Sequence, residues 1–217
     1  MSALPGLRPA IAMPPALPGF EQLQRFWEPR SGLWTARLMP GEYYVTRSNE
    51  AIMTVLGSCI SACVRDPDRG IGGMNHFMLP EESGGGENSW LDPKAGLATR
   101  YGSYAMESLL NQLLRTGASR SRLEVKIFGG GKILSSMTDI GERNIAFMLE
   151  YARLEGLKVS AQDVGGTQPR KIMYYPSDGK VLVRRLSSVS HNLADRERSY
   201  MHSLHGQQDG GEVELFQ

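Results

Sequence analysis

Short runs of apolar residues follow one another through the middle of the chain. From Tyr43 the sequence reads YYVTR, AIMTVLG and CISACVRD, and each run is rich in the β-branched and aromatic residues that suit a pleated, half-buried surface. The segment DPDRG, residues 66–70, is dense in turn formers and separates the third run from the apolar stretch Ile71–Leu79. These runs are predicted to be strands, and the last two to form a β-hairpin.

Two later segments show the period of an amphipathic helix. Apolar residues recur at three- and four-residue spacing from Arg100 to Arg115 and again from Ile140 to Leu154. Gly117 and Gly156 follow these segments at the position where a glycine commonly ends a helix. We therefore predict two helices.

Four further segments have the composition of strands: LEVKIFGGG, LKVSAQDVGG, RKIMYYP and GKVLVRRL. The last two are joined around Pro176–Gly179, a strong turn signal. Because the strands come in runs and the helices are few, the predicted class is α+β, with two main helices covering a system of strands and hairpins.

The two ends of the chain differ in composition from this middle part. Residues 1–35 contain six prolines and predict a flexible N-terminal arm in which only Phe20–Trp27 can form a short helix. Residues 36–188 hold the predicted elements and are expected to form the folded domain. The polar segment 189–217 is expected to be a fraying C-terminal tail.

Composition excludes several classes of function. The chain has 217 residues, 41% of them hydrophobic and 22% charged, which is typical of one soluble globular domain. A formal net charge of +1 gives no reason to expect a nucleic-acid partner. No apolar run is long enough for membrane insertion, and the N-terminus lacks the pattern of a secretory signal, so a cytoplasmic location is expected.

The predicted hairpin brings a thiol and an imidazole together. If its turn centres on Asp68, Cys59 falls opposite position 76 or 77, which makes His76 its cross-strand neighbour. Cβ atoms of directly opposed residues lie about 4.5–5.5 Å apart, within reach of a shared hydrogen bond. An adjacent imidazolium would lower the pKa of Cys59 and make it a nucleophile. Gly57 and Ser58 permit a tight backbone whose N–H groups could face a developing oxyanion.

Other interpretations of the same residues stay open at this point. A buried cysteine is usually a small apolar residue, and a single histidine is usually a satisfied polar one. Cys63 is interpreted as core, since it is expected on the same side as Cys59 but two pairs away. A metal site built from the two cysteines and His76 would lack a fourth ligand and the usual ligand spacing. Both cysteines are expected to be reduced.

The segment LGSCISACVRDPDRGIGGMNHFMLP, residues 56–80, closely resembles the CheD family, the chemoreceptor glutamine deamidases of bacterial chemotaxis. The resemblance continues in order through RYGSYAMESLL, VKIFGGGKI, DIGERNIAFMLEYARLEGLKV, AQDVGGTQPRKIMYY and GKVLVRRL. It covers about residues 36–187 and leaves both ends of the chain outside.

The resemblance implies roles for three residues. Cys59 matches the nucleophile of the family, His76 the general base, and Thr54 the residue that supports the histidine; the alternative for Thr54 is a β-branched strand residue with no further role. The family is similar in fold to toxin deamidases of the cytotoxic-necrotizing-factor type, a layered α/β sandwich. It uses no cofactor.

The expected activity is that of a protein-glutamine glutaminase. The resemblance implies conversion of glutamine side chains of methyl-accepting chemotaxis receptors to glutamate, with release of ammonia through a cysteine thioester. It also implies the receptors' cytoplasmic domains as partners, together with a CheC-type phosphatase. Ser83–Glu87 is expected to form the rim of the site. The alternatives are a noncatalytic adaptor that binds receptors or CheC, and a thiol enzyme that acts on amines or esters.

Overall fold

The computed structural model describes residues 11–80, 97–133, 138–187 and 191–206. Within these ranges the chain forms ten strands, three α-helices and a short 3-10 helix at Arg120–Arg122. The strands are β1 Arg25–Glu28, β2 Leu33–Arg37, β3 Tyr43–Thr46, β4 Ala51–Leu56, β5 Ile60–Asp66, β6 Ile71–Asn75, β7 Glu124–Gly129, β8 Lys158–Val164, β9 Arg170–Tyr175 and β10 Lys180–Arg185. The helices are α1 Leu97–Arg115, α2 Thr138–Leu154 and α3 His191–Gly206.

The strands form two five-stranded sheets. The first has the order β1-β2-β4-β9-β10, with β2 and β4 parallel and the other neighbours antiparallel. The second has the order β3-β6-β5-β7-β8, in which β7 and β8 are the parallel pair. The predicted hairpins β5–β6 and β9–β10 are both present, so local turn chemistry located these strands correctly.

Helices α1 and α2 pack on the second sheet, α1 against β3, β5 and β6, and α2 against β5, β7 and β8. One buried apolar cluster includes side chains of both sheets and both helices, among them Ile52, Ile60, Leu109 and Met148. The α+β class is thereby confirmed. No helix in the described ranges is long and apolar enough to cross a membrane.

The register of the β5–β6 hairpin differs by one residue from the prediction. Cys63 pairs with Met74, and beyond the regular ladder Ile60 forms a bridge with Phe77. Cys59 is therefore not directly opposite position 76 or 77. Because side chains alternate along a strand, Cys59 and His76 lie diagonally on the same side, on the face opposite to the Ile60–Phe77 pair.

The N-terminal segment is more ordered than the predicted flexible arm. Instead of a helix over Phe20–Trp27, the chain forms strand β1, which pairs with β2 as an antiparallel hairpin. Phe20 is buried in the core, and the Arg25 guanidinium donates to the Pro14 carbonyl at 2.7 Å and pairs with Glu50 at 3.2 Å. The prediction of a short helix was wrong because the turn at residues 29–32 closes a hairpin instead.

The C-terminal segment also differs from the prediction. Residues 191–206, expected to fray, form the helix α3. Its buried side chains are spaced along one helical face: Leu193, Ala194, Glu197, Met201 and Leu204. Tertiary contacts of this face account for a helix that the polar composition did not predict.

Candidate active site

Cys59 lies in the short connection between β4 and β5, residues 57–59. The glycine bend after β7 holds this connection from one side, because Gly131 N–H donates to the Gly57 carbonyl and Gly130 N–H to the Cys59 carbonyl, both at 2.7 Å. Gly129 has a φ of +113°, a conformation that side-chain-bearing residues rarely adopt. The triple glycine thus supports the backbone of the candidate nucleophile.

Asn144 of α2 fixes the same connection from the helical side. It is fully buried, its Nδ2 donates to the Ser58 carbonyl at 2.8 Å, and its Oδ1 accepts from Leu79 N–H at 2.8 Å. One amide therefore ties the Cys59 connection to the chain just after His76. Sequence reasoning missed Asn144, although a polar residue on the apolar face of a predicted helix was an available signal.

His76 is positioned by a threonine of the facing sheet. Thr54 Oγ1 lies 2.7 Å from His76 Nδ1 and 2.9 Å from the Leu38 carbonyl oxygen. A hydroxyl has one hydrogen, and the carbonyl can only accept, so the hydroxyl donates to Leu38 and accepts from Nδ1–H. The hydrogen bonds therefore assign the proton to Nδ1 and leave a lone pair on Nε2, the state that a general base requires.

His76 Nε2 is buried and has no hydrogen-bond partner among the described residues. Burial lowers the pKa of the ring to about 3, because the charged imidazolium loses its hydration. The imidazole is therefore neutral in this closed arrangement. The Cys59 thiol therefore does not donate a hydrogen bond to Nε2 in this arrangement.

Three main-chain N–H groups at the Cys59 connection converge on one carboxylate. Gly57 N–H donates to Glu197 Oε1 at 2.9 Å, Ser58 N–H to Oε2 at 3.0 Å, and Cys59 N–H to Oε1 at 3.5 Å. The Ser58 hydroxyl donates to Oε2 at 2.6 Å. These donors form an anion pocket beside the thiol, filled here by the fully buried Glu197 side chain of α3.

Gly57 makes this pocket accessible to a carboxylate. A Cβ atom at this position would lie 2.7 Å from Glu197 Oε1 and 2.9 Å from Oε2, and it would also collide with Ile133. A side chain at position 57 would therefore displace the bound group. The glycine is required for close approach, which its lack of a Cβ permits.

Burial raises the pKa of the Cys59 thiol well above its usual value, and the charge of Glu197 and a hydrogen bond to it add to this effect. The hairpin predicted that a neighbouring imidazolium would lower the pKa of Cys59. This effect is absent in the present arrangement, because His76 is neutral. Cys63 is buried at the β5–β6 ladder, where burial also raises its pKa. Cys59 is therefore not activated while Glu197 fills the pocket, and Cys63 is not activated in its buried position.

A cavity of about 270 Å³ adjoins the site at the histidine and the threonine. His76 and Thr54 line it together with Met53 of β4 and with Leu193 and Arg196 of α3. It provides space for water beside the histidine. The predicted rim, Ser83–Glu87, lies outside the described residues, and within the described ranges no cluster of His, Cys, Asp or Glu side chains could hold a metal ion.

The structure brings the predicted residues into one region. Thr54 contacts His76, Gly57 and Ser58 contribute main-chain donors beside Cys59, and Cys63 lies farther along β5. Sequence reasoning missed Glu197. Its only signal was an acidic residue in the centre of a weak apolar stripe on a polar segment.

Comparison with known proteins identifies similar chains. The family described as CheD chemotactic sensory transduction matches residues 78–185. A protein of Hahella chejuensis is 50% identical over 204 residues, which cover 94% of this chain and 95% of its own. A protein of Halorhodospira halophila is 47% identical over 207 residues, with 95% of each chain covered.

A third relative, from Hydrogenovibrio crunogenus, is 51% identical over 195 residues, which cover 89% of this chain and all of the relative. Each of the three proteins carries the name "Probable chemoreceptor glutamine deamidase CheD".

Proposed function

This chain belongs to the CheD family, and on that basis we propose that it hydrolyses the side-chain carboxamide of glutamine residues in chemoreceptors. The products are a glutamate side chain and ammonia. In this proposal Cys59 is the nucleophile, His76 the general base, and Thr54 the residue that orients the histidine. Gly57 and Ser58 supply main-chain donors to the oxyanion.

One observation carries this proposal: the donors beside Cys59 hold a glutamate side chain. The N–H groups of Gly57 and Ser58 contact the two carboxylate oxygens of Glu197 at 2.9 and 3.0 Å. Glutamate is the product of glutamine deamidation, and its carboxylate has nearly the shape of the substrate carboxamide. A pocket of donors that accepts it is therefore suited to the product and to the developing oxyanion, and it can hold a substrate carboxamide by its oxygen.

The first half of the reaction forms a thioester. His76 Nε2 accepts the thiol proton, the Cys59 sulfur attacks the carboxamide carbon, and negative charge develops on the carboxamide oxygen. The N–H groups of Gly57, Ser58 and Cys59 stabilise this oxyanion. Collapse of the tetrahedral intermediate breaks the C–N bond, and the nitrogen leaves as ammonia with the proton from His76.

The second half consumes one water molecule. His76 Nε2 takes a proton from the water as its oxygen attacks the thioester carbon, and the same N–H groups hold the second oxyanion. Expulsion of the Cys59 sulfur releases glutamate and restores the thiol. Throughout, Thr54 keeps the Nδ1–H occupied, so that the reacting lone pair stays on Nε2.

The proposed substrate also defines partner and location. The names of the relatives refer to chemoreceptors. We propose the receptors' cytoplasmic domains as the substrate of this chain and the cytoplasm as the location of the reaction. Association with a CheC-type phosphatase stays a prediction. A noncatalytic adaptor is the alternative that the following experiment excludes or supports.

Purified protein incubated with a receptor cytoplasmic fragment is expected to convert specific glutamines to glutamate, detected by peptide mass spectrometry. Cys59→Ser should abolish the conversion, because a hydroxyl is a far weaker nucleophile here. Cys63→Ala is the matched control, because it removes the other buried cysteine and should retain activity. Binding of the fragment without conversion by the wild-type protein would identify an adaptor instead.

The assignment of Thr54 is tested by two substitutions of similar size. Thr54→Val removes the hydroxyl and is expected to lower kcat about 10- to 100-fold with little change in KM, because the imidazole loses its fixed tautomer. Thr54→Ser retains the hydroxyl and should keep most of the activity. Equal kcat for the valine and serine variants would show that Thr54 is only a packing residue.

A further inference from the structure

Helix α3 contributes the residue that fills the anion pocket. Glu197 is fully buried, whereas its neighbours Asp195, Arg196 and Arg198 are exposed. Apolar side chains flank it one turn away on the same face, Leu193 before it and Met201 after it, and both are buried. The glutamate is thus presented by an amphipathic helix that lies directly over Cys59.

A second contact holds α3 in place. The hydroxyl of Tyr200 forms a hydrogen bond with the hydroxyl of Tyr101 on α1. The Tyr200 ring also lies against Gly41, where an added Cβ would be 3.0 Å from its Cε2. This latch fixes the helix one turn beyond Glu197. It lies near the thiol: burial raises the pKa of both tyrosines, and the charge of Cys59 adds to this effect.

A buried carboxylate is an unusual way to dock a helix. Removing a charge from water is costly unless hydrogen bonds replace its hydration, and an apolar residue would bury the same face without that cost. The structure places three N–H groups and one hydroxyl around Glu197, and the three N–H groups are the donors that the proposed reaction needs. The carboxylate therefore competes directly with substrate for one set of donors.

The histidine provides an independent sign that the site is closed. His76 Nε2 is buried without a hydrogen-bond partner among the described residues, although a neutral ring nitrogen needs a donor there. The proposed reaction requires this nitrogen to meet the Cys59 thiol. In the present arrangement no described residue forms a hydrogen bond with this nitrogen, and the Glu197 carboxylate accepts from the Cys59 main-chain N–H at 3.5 Å.

We propose that α3 covers the anion pocket and fills it with Glu197 as an internal product analogue, and that a glutamine-bearing helix of the receptor must displace it. This inference rests on the proposed deamidase function. The partner that fits the surface is an amphipathic helix with glutamine in place of Glu197 and apolar residues one turn before and after it. The chain thereby carries an inhibitor of its own site.

The test measures how fast iodoacetamide alkylates Cys59 in the full-length protein, followed by peptide mass spectrometry. Glu197→Ala should raise the rate about tenfold or more, because it opens the pocket and removes a negative charge beside the thiol. Tyr200→Phe removes the latch hydroxyl, leaves the four donors to Glu197 in place, and should also raise the rate. Asp195→Ala removes an exposed carboxylate of the same helix and should match the wild type.

Urea unfolding of each variant shows whether faster alkylation reflects an open site or a destabilised fold. Faster labelling in Glu197→Ala at unchanged unfolding free energy supports the proposal. A rate equal to that of Asp195→Ala would overturn it, because α3 would then not control access to the thiol.

Deamidation of the receptor fragment is measured on the same samples and separates the two proposals. Faster alkylation without deamidation by any variant would retain α3 as a cover of the thiol and reject the deamidase function. Faster deamidation by Glu197→Ala supports both. The modified glutamines should have apolar residues one helical turn to either side. Modified glutamines without such neighbours would show that the receptor does not bind at the surface that α3 covers.

Discussion

His76, the proposed base, cannot hold a second proton on its ring while Glu197 fills the pocket. Its ring contacts a threonine hydroxyl rather than a carboxylate, so no negative charge offsets the loss of hydration. Burial accordingly lowers its pKa to about 3. A stable thiolate–imidazolium pair with Cys59 therefore requires a more hydrated or rearranged site, which displacement of Glu197 would provide.

The same burial makes the stability of the fold depend on pH. The folded-state pKa of His76 is about 3 against an ordinary value of 6.5, so below pH 6.5 the unfolded chain binds a proton that the folded chain does not. Stability from this residue is therefore present above pH 6.5 and is lost as the pH falls. Between pH 7 and pH 5 the loss should be about 2 kcal/mol.

Urea unfolding of the wild type and of His76→Gln at the two pH values measures this contribution. The glutamine variant cannot titrate, so its unfolding free energy should fall by about 2 kcal/mol less than that of the wild type over the same interval. Parallel changes in the two proteins would mean that His76 is accessible to protons in the folded state.

At the scale of the elements, α3 permits a test of hydrolysis within one molecule. Glu197→Gln places a carboxamide in the anion pocket, where its oxygen can accept from Gly57 N–H. Its NH2 can donate to the Ser58 hydroxyl oxygen but leaves the Ser58 N–H without an acceptor, which should make the bound amide less stable than the carboxylate. We expect the chain to hydrolyse this side chain with one water, releasing ammonia and restoring glutamate. Peptide mass spectrometry of residue 197 detects the change.

The double variant Cys59→Ser/Glu197→Gln is the control and should keep glutamine at position 197. Glutamine that persists in the single variant, while the same preparation deamidates a receptor fragment, would show that α3 does not present its side chain in a reactive position. Conversion in the double variant would point to spontaneous hydrolysis.

The strands and helices also show how much of the fold could be predicted from the sequence. The strands β3–β10 and helices α1 and α2 were predictable because each has its own period and turn signals. The pairing of Cys59 and His76 was predicted one residue out of register, since the turn at residues 66–70 is not centred on Asp68. Their diagonal placement still leaves both on one face.

Features built from distant contacts were not predictable. Glu197 meets Gly57 and Ser58 across about 140 positions of the chain, and no local pattern marks such a contact. The stripe on α3 contains few apolar residues and has the acidic one at its centre, so the segment looked like a solvated tail. The Thr54–His76 contact likewise joins two sheets, and it was expected only from family resemblance.

At the scale of the whole molecule, a buried ion pair joins the N-terminal segment to the sheets. Arg25 and Glu50 are 3.2 Å apart with side chains 7% and 0% exposed, and the hydroxyls of Tyr44 and Thr46 also donate to Glu50. Removing one charge of a buried pair leaves the other unpaired in a medium of low polarity. The network should therefore be a main support of residues 11–37.

Glu50→Gln is expected to lower the free energy of unfolding by about 3 kcal/mol, measured by urea denaturation. The N-terminal segment should also become sensitive to limited proteolysis near Arg25. Glu142→Gln is the matched control, since its ion pair with Lys132 is largely exposed and should be worth at most about 1 kcal/mol. Equal losses in the two variants would contradict a structural role for the buried pair.

The position of α3 in the chain sets the local concentration that receptor helices must reach to displace it. The helix begins six positions after β10 ends, so a short tether keeps its glutamate near the pocket. A ligand on a short tether competes at an effective concentration of about millimolar, whatever the concentration of the protein. Dilute receptor would seldom displace it, whereas receptor helices packed at comparable local density would. The enzyme would then respond to how densely its substrate is assembled as well as to how much is present.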